Sequence, residues 1–284
     1  MLKKIFFAAA LLLASELGAK PVVIASIAPV EYLAKAVGGD KIEVQSLAKG
    51  DVHSYEPKPN DMKAVAKARI FIAAGLEFEE AWIPRFKASA KNLVVVKSDA
   101  KIAKLKEERG EQAEHDEKHE AHADPHVWLN PMLAITMARN ISDALIDMDK
   151  ANKDFYLENF QKLMNDLLAF DESAKESLAG LKNRKFVVYH PAWGYFAAHY
   201  DLEQISIERS GKEPKIDEMA STLKMIKDEN IKVIFADPNR SQKSDQILAS
   251  QTGAKVELLD PLGYNLLENL KIAVGAIKDA NSPK

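Results

Sequence analysis

Short runs of β-branched and aromatic residues recur along this chain, each bounded by turn residues and followed by a segment with helical spacing. The runs occupy residues 22–27, 42–47, 70–74, 93–97, 186–189, 204–207, 233–236 and 256–259. Strands that alternate with helices form parallel sheets on which the helices pack. The pattern therefore predicts an α/β protein of two lobes, each with a small parallel sheet of about four strands covered by helices.

A long amphipathic segment separates the two halves of the chain. Apolar residues between positions 156 and 181 follow one another at steps of three or four, which places them in one stripe on a helix. We predict a helix over residues 154–182, roughly 40 Å long at 1.5 Å per residue. An amphipathic helix inside one domain would have the same spacing, but the position between similar halves favours a connecting helix.

A second helix start is visible upstream of this segment. Asn130 and Pro131 have the residue types preferred at the N-cap and the first turn of a helix. We therefore expect a helix that begins at Pro131 and ends near Met148.

The first residues have the order of a secretory signal peptide. Lys3 and Lys4 precede an apolar run over residues 5–14, and Ala19 provides a small residue at the expected cleavage point. The run is much shorter than the ~20 residues that cross a bilayer. We predict a signal peptide over 1–19, an amino-terminal lobe over 20–153, the connecting helix over 154–182 and a carboxy-terminal lobe over 183–284.

Composition narrows the cellular setting. The chain contains no cysteine, which excludes disulfides, thiolate metal ligands and a lipid anchor on an N-terminal cysteine. With an export signal and without that anchor, we expect a protein of the Gram-negative periplasm that does not itself span a membrane. A formal net charge of −3 at pH 7 argues against nucleic acid as a partner, and we expect a monomer.

Four of the seven histidines lie close together among acidic residues. They are His115, His119, His122 and His126. Imidazole suits zinc and its neighbours in the first transition row, and carboxylates concentrate cations and can add oxygen ligands. Residues 107–123 contain no apolar side chain larger than alanine, so we expect an acidic, histidine-rich surface loop. The composition indicates a metal-binding protein without deciding whether this loop is the site.

Other candidate ligands lie outside the loop. His190 follows the predicted strand 186–189, and Asp260 follows 256–259, so both should lie at one rim of the second lobe. Ligands of open α/β sheets bind outside the carboxyl ends of the strands. His53 and His126 lie in loops of the first half, where a single histidine is more often a surface residue than a ligand. Together the four residues offer three imidazoles and a carboxylate from both lobes.

Several ordered segments resemble one protein family. They are His53-Ser54-Tyr55-Glu56-Pro57, Asp124-Pro125-His126-Val127-Trp128-Leu129, Tyr189-His190-Pro191-Ala192-Trp193-Gly194-Tyr195-Phe196, Glu208-Arg209-Ser210-Gly211-Lys212-Glu213-Pro214 and Asp260-Pro261-Leu262-Gly263. Over the whole mature chain, the sequence resembles the metal-binding periplasmic components of ABC importers for zinc and manganese, the ZnuA and TroA type. The resemblance implies a metal bound between two lobes and delivered to an ABC permease in the membrane.

The resemblance also implies a set of ligands. His53, His126 and His190 match the three nitrogen ligands, and Asp260 matches the late aspartate that completes the site in part of the family. Some zinc members have a glutamate beside the first histidine, but Val52 stands there in this chain. Asp260 or water must therefore take the fourth position. The remaining loop residues become an accessory site that binds further zinc weakly, formed by His115, His119 and His122.

The metal and the class of activity have alternatives. Three imidazoles and a carboxylate suit tetrahedral zinc, whereas manganese prefers more oxygen ligands. Manganese members of the family have a glutamate at the position of His190, so a manganese or iron importer component is the first alternative. A zinc-dependent hydrolase would need a general base, for which Glu56 and Glu208 are candidates, but no His-Glu-x-x-His pair or glycine elbow is present. We predict a transport component with Zn²⁺ as cargo, not an enzyme.

Overall fold

The structure is a computed structural model that describes residues 19–50, 52, 55–106, 123–208, 216–240 and 243–281. Each of its strands overlaps one of the eight predicted runs, with three strands beginning one residue earlier than predicted. They are β1 (Val22–Ala25), β2 (Glu43–Ser46), β3 (Ile70–Ala73), β4 (Val94–Lys97), β5 (Lys185–Val188), β6 (Glu203–Ser206), β7 (Val233–Ala236) and β8 (Lys255–Leu258). They form two parallel sheets, ordered β2-β1-β3-β4 in the first lobe and β6-β5-β7-β8 in the second. The predicted two-lobe α/β fold is confirmed.

Helices cover both sheets. They are α1 (Ala28–Gly38), α2 (Pro59–Val65), α3 (Glu77–Ser89), α4 (Pro131–Met148), α5 (Lys153–Ala179), α6 (Gly194–His199), α7 (Ile216–Asp228), α8 (Lys243–Thr252) and α9 (Leu266–Asn281). No helix in the described part of the chain combines the length and the apolar character that a membrane crossing requires.

Burial explains why the strands are visible in the sequence. All four residues of β3 and all four of β7 are buried, because each strand lies inside its sheet with helices on both faces. Such strands have continuous apolar sequences. The strands at one edge of each sheet, β4 and β8, leave Val94 and Leu258 more than half exposed.

Helix α5 connects the lobes. Its buried stripe contains Tyr156, Phe160, Leu163, Leu167, Phe170, Ala174 and Leu178, which are positions that the sequence predicted. The helix packs against α1 and α4 of the first lobe and against α9 near the end of the chain. One continuous apolar cluster extends from Val23 in β1 through α5 to Ile277 in α9. The lobes therefore share a core, which opposes free movement of one lobe against the other.

The start of α4 agrees with its predicted cap. The side-chain oxygen of Asn130 accepts hydrogen bonds from the backbone N–H groups of Met132 at 2.9 Å and Leu133 at 3.3 Å, and Pro131 occupies the first turn. These bonds satisfy N–H groups that have no partner within the helix. The cap fixes the direction in which the chain leaves the preceding turn.

The strand order of each sheet creates one crevice per lobe. In each lobe the chain adds a neighbour on one side of the first strand and then crosses to the other side. The order reverses between β1 and β3, and again between β5 and β7. Parallel α/β sheets bind ligands outside the carboxyl ends of the strands at such reversals.

Candidate metal centre

Every strand of the second sheet is followed by a polar residue at its carboxyl end. His190 lies two residues beyond β5, Glu208 two beyond β6 and Asp260 two beyond β8, while Asp237 directly follows β7. The strand order places Glu208 beside His190 on one side of the reversal and Asp237 beside Asp260 on the other. This rim contains both second-lobe residues that the sequence predicted.

His190 is held by the end of the neighbouring strand. Its Nδ1 lies 3.2 Å from Oε2 of Glu208, and Arg240 donates to the same carboxylate oxygen. Both His190 and Glu208 are buried. Because an ionised carboxylate only accepts hydrogen bonds, this contact places a proton on Nδ1 and leaves Nε2 directed towards His126.

His126 is held locally, in the loop that leads to α4. Oδ1 of Asp124 accepts from the backbone N–H of His126 at 2.9 Å and lies 2.7 Å from its Nδ1. The ring lies against Trp128, with 5.3 Å between ring centroids. The indole N–H of Trp128 donates to the carbonyl oxygen of Pro261 at 2.8 Å, which ties this loop to the loop after β8.

The two imidazoles meet between the lobes. Nε2 of His126 lies 3.4 Å from Nε2 of His190, and the ring planes are inclined at 73°. Two nitrogens bound to one tetrahedral zinc at about 2.05 Å would lie about 3.3 Å apart. Two lone pairs held this close repel each other unless a cation or a proton lies between them. The arrangement therefore fits two nitrogen ligands of one metal ion.

The other predicted ligands are placed differently. Asp260 is partly buried, and its Oδ1 accepts from Nδ2 of Asn239 at 2.8 Å and from the backbone N–H of Leu262 at 2.9 Å. His53 lies outside the described residues, and so does the accessory set of His115, His119 and His122. Within the described ranges, no group of three or more histidine, aspartate and glutamate side chains is arranged to hold a metal.

A carboxylate that the sequence reasoning missed lines the gap beside the two imidazoles. That gap is bordered by Gly50 and Val52 of the first lobe and by Asp237, Arg240, Pro261 and Leu262 of the second. Oδ1 of Asp237 accepts from the backbone and side-chain N–H groups of Asn239. Burial raises the pKa of Asp237, and the neighbouring carboxylate of Asp260 raises it further. Its position at the end of the run 233–236 was the available signal.

A larger cavity reaches the imidazoles from another direction. It measures about 340 Å³, and its lining includes Lys106, Asp124, His126, His190 and Gln204. The gap beside Asp237 is much smaller, about 10 Å³ by the same measure. The larger cavity therefore offers the wider approach to both imidazoles.

The structure gives the two candidate general bases, Glu208 and Glu56, other surroundings than a hydrolytic site would. Glu208 accepts from Nδ1 of His190 and from Arg240, so it orients a ring and balances a cation. Glu56 lines a separate polar cavity with Glu31 and Asp61.

Comparison with known proteins gives consistent results. A sequence family described as "Zinc-uptake complex component A periplasmic" matches residues 23–280. The "High-affinity zinc uptake system protein ZnuA" of Bacillus subtilis (strain 168) is 30% identical over 284 residues, covering 93% of this chain and 88% of that protein.

Solved structures agree in fold. A crystal structure of ZnuA superposes with a TM-score of 0.87 at 35% identity, covering 93% of this chain and 100% of the other. A ZnuA deletion mutant with zinc bound superposes with a TM-score of 0.86 at 34% identity, covering 93% and 99%.

Proposed function

The chain belongs to the ZnuA family of periplasmic zinc-uptake components, and from that premise we propose that it captures Zn²⁺ between its two lobes and delivers the ion to an ABC permease. The observation that carries this proposal is the pair of imidazoles from opposite lobes, with 3.4 Å between their Nε2 atoms. A metal bound there has ligands from both lobes, so a permease can read the loaded state from their relative position.

The carboxylates behind the rings prepare them for a divalent cation. Asp124 and Glu208 orient His126 and His190 through their Nδ1 atoms, so that Nε2 of each ring faces the other, and their negative charges offset part of the charge of the ion. Zinc binds only the neutral form of imidazole, so acidification from pH 7.5 to pH 5 should weaken binding.

We propose His53 as the third nitrogen ligand and Asp260, or water, as the fourth. Gly50 and Val52 border the same gap as the two imidazoles, and His53 directly follows Val52 in the sequence. Asp260 follows β8 at the rim that carries His190. Three nitrogens and one oxygen make a tetrahedral zinc site.

We propose that the protein works as a monomer in the periplasm, without turnover of a substrate. Residues 1–19 have the order of an export signal, which supports the periplasmic location. Zinc approaches through the 340 Å³ cavity, which is the wider route to the rings. The shared core around α5 limits how far the lobes move when the ion binds.

The test is competitive metal titration of the purified mature protein. We expect one tight Zn²⁺ per chain that survives an excess of Mn²⁺, and we expect His53→Ala to remove it. Tighter binding of Mn²⁺ than of Zn²⁺ would contradict the proposal and favour the manganese alternative. Metal-dependent hydrolysis of an ester or phosphate by the loaded protein would favour the hydrolase.

A second variant tests whether the histidine-rich loop contributes to the tight site. Replacing His115, His119 and His122 by alanine together should leave the tight site within about 3-fold of its affinity, because ligands of a separate weak site do not contact it. A loss as large as that of His53→Ala would place the tight site in the loop.

A further inference from the structure

Tyr195 in α6 belongs to the second lobe, but its hydroxyl contacts the first lobe twice. It accepts a hydrogen bond from the backbone N–H of Leu105 at 2.8 Å and donates one to the carbonyl oxygen of Asp124 at 2.8 Å. Tyr195 is buried. Burial raises its pKa to about 12, so the hydroxyl keeps the proton that it donates.

The Tyr195 hydroxyl takes part in a short antiparallel ladder of backbone hydrogen bonds. Asp124 N–H donates directly to the carbonyl oxygen of Leu105 at 2.9 Å, and Lys106 and Ala123 form an antiparallel bridge. In a regular hydrogen-bonded antiparallel pair, both N–H groups would donate directly across the pair. Here the return bond from Leu105 to Asp124 passes through the tyrosine hydroxyl. The second lobe therefore contributes one member of a first-lobe ladder.

This ladder ends at the residue that holds a zinc-binding imidazole. Oδ1 of Asp124 lies 2.7 Å from Nδ1 of His126 and also accepts its backbone N–H. A shift of the Asp124 backbone would move the carboxylate and rotate the ring away from His190. The chain of contacts runs from the second lobe through Tyr195 and Asp124 to the ligand of the first lobe.

We infer that Tyr195 is a positioning residue for zinc capture. It acts through Asp124 on His126, so the orientation of this ligand depends on contact between the two lobes. The inference rests on the proposed function of His126 as a zinc ligand. Loss of the hydroxyl would bring Leu105 N–H and the carbonyl of Asp124 together or leave both buried without a partner. The first result displaces Asp124, and the second removes a bond that holds it in place.

Tyr195→Phe tests this, because phenylalanine keeps the ring and removes only the hydroxyl. Its matched control is Tyr200→Phe, which removes another buried hydroxyl of the same lobe, beside Asp171 and away from the imidazoles. We expect Tyr195→Phe to weaken zinc binding about 10-fold, mainly through faster release to a chelator, as a lost partner behind a metal ligand does. Tyr200→Phe should leave zinc affinity within about 2-fold of wild type.

A double-mutant cycle with Asp124→Asn separates positioning from general destabilisation. If Tyr195 acts through Asp124, then Tyr195→Phe should cost less than about 2-fold in the Asp124→Asn background. The same 10-fold loss in both backgrounds, or no loss in the wild-type background, would overturn the inference. His190→Ala is measured in parallel. If it keeps full zinc affinity, the proposed site itself is wrong, whatever Tyr195→Phe does.

Discussion

The two lobes share one strand order but hold their imidazoles in different ways. In the second lobe, His190 is at a strand end, and the carboxylate behind it, Glu208, comes from the neighbouring strand. In the first lobe, His126 lies in a turn outside the sheet, and its carboxylate, Asp124, is two residues away. One ligand depends on the packing of a sheet and the other on a local turn.

The difference shows how one geometry arises from two kinds of support. A local turn forms with little dependence on distant residues, but nothing in it fixes the turn relative to the other lobe. The contacts of Trp128 with Pro261 and of Tyr195 with Asp124 supply that connection. The following predictions compare the lobes, beginning with the largest expected effect.

Removing either ring should abolish tight binding to a similar degree. We expect His126→Ala and His190→Ala each to weaken zinc binding at least ~100-fold in chelator competition, because each removes a nitrogen that contacts the ion. His199→Ala is the control, since His199 pairs with Asp171 at 2.6 Å in another part of the second lobe, and it should change affinity less than about 2-fold. Losses that differ more than 10-fold between the two ligand variants would show that one lobe dominates.

Replacing the carboxylates behind the two imidazoles should show whether the turn in the first lobe or the sheet in the second depends more on its carboxylate. We expect Asp124→Asn and Glu208→Gln to weaken zinc binding by roughly 10-fold to 100-fold. Asp124→Asn should cost more, because its contact with Nδ1 is 2.7 Å against 3.2 Å for Glu208, and short charge-assisted bonds are stronger. Isothermal titration under identical buffer conditions compares them. The opposite order would mean that the sheet-supported ligand needs its carboxylate more than the turn-supported ligand.

A buried acid of the first lobe should matter for stability. Glu79 accepts backbone N–H groups from Ala74, Gly75 and Leu76 at 2.8, 2.8 and 3.0 Å, yet burial raises its pKa to about 7. Glu79→Gln offers one accepting oxygen in place of two, so we expect the free energy of unfolding to fall by about 1–3 kcal/mol. Urea denaturation at pH 7.5 measures it. Unchanged stability would mean that these bonds contribute nothing net.

Asp245, a buried acid of the second lobe, should have a smaller effect on the free energy of unfolding, and that effect should depend on pH. Asp245 is buried, one of its carboxylate oxygens has no hydrogen-bond partner among the described residues, and burial with nearby Asp237 raises its pKa to about 7. A raised pKa means that the folded state binds the proton more tightly, so this stabilisation is present at low pH and is lost as pH rises through 7. As the pH rises from 5 to 8, we expect the free energy of unfolding of Asp245→Asn to increase by roughly 1 kcal/mol relative to that of wild type. Parallel denaturation curves that keep the same offset at both pH values would contradict this.

Much of the fold follows from local pattern. The strands were recognisable because buried parallel strands are continuous apolar runs, and α5 because its buried stripe repeats at steps of three and four. The start of α4 followed from Asn130 and Pro131 alone. The predicted helix over 154–182 ends at Ala179 in the structure, since apolar spacing does not define the final turn.

The partners behind the ligands could not be predicted in the same way. The sequence offered Glu208 as a candidate general base and not as the partner of His190, because no local pattern states that β6 lies beside β5. The position of Asp237 beside the imidazoles depends on the chain crossing to the other side of β5. Tyr195 was one aromatic residue among several until its hydroxyl was found between two first-lobe backbone groups.

The sequence by itself determined the strands, the long helix, the N-cap of α4 and the residue types able to bind a metal, because each depends on neighbours a few positions away. Only the tertiary structure decided that His126 and His190, 64 positions apart, place their Nε2 atoms 3.4 Å from each other. That distance results from strand order, from the core shared across α5 and from hydrogen bonds between the lobes, including those of Trp128 and Tyr195. These are long-range contacts, and a one-dimensional pattern does not specify which of them form.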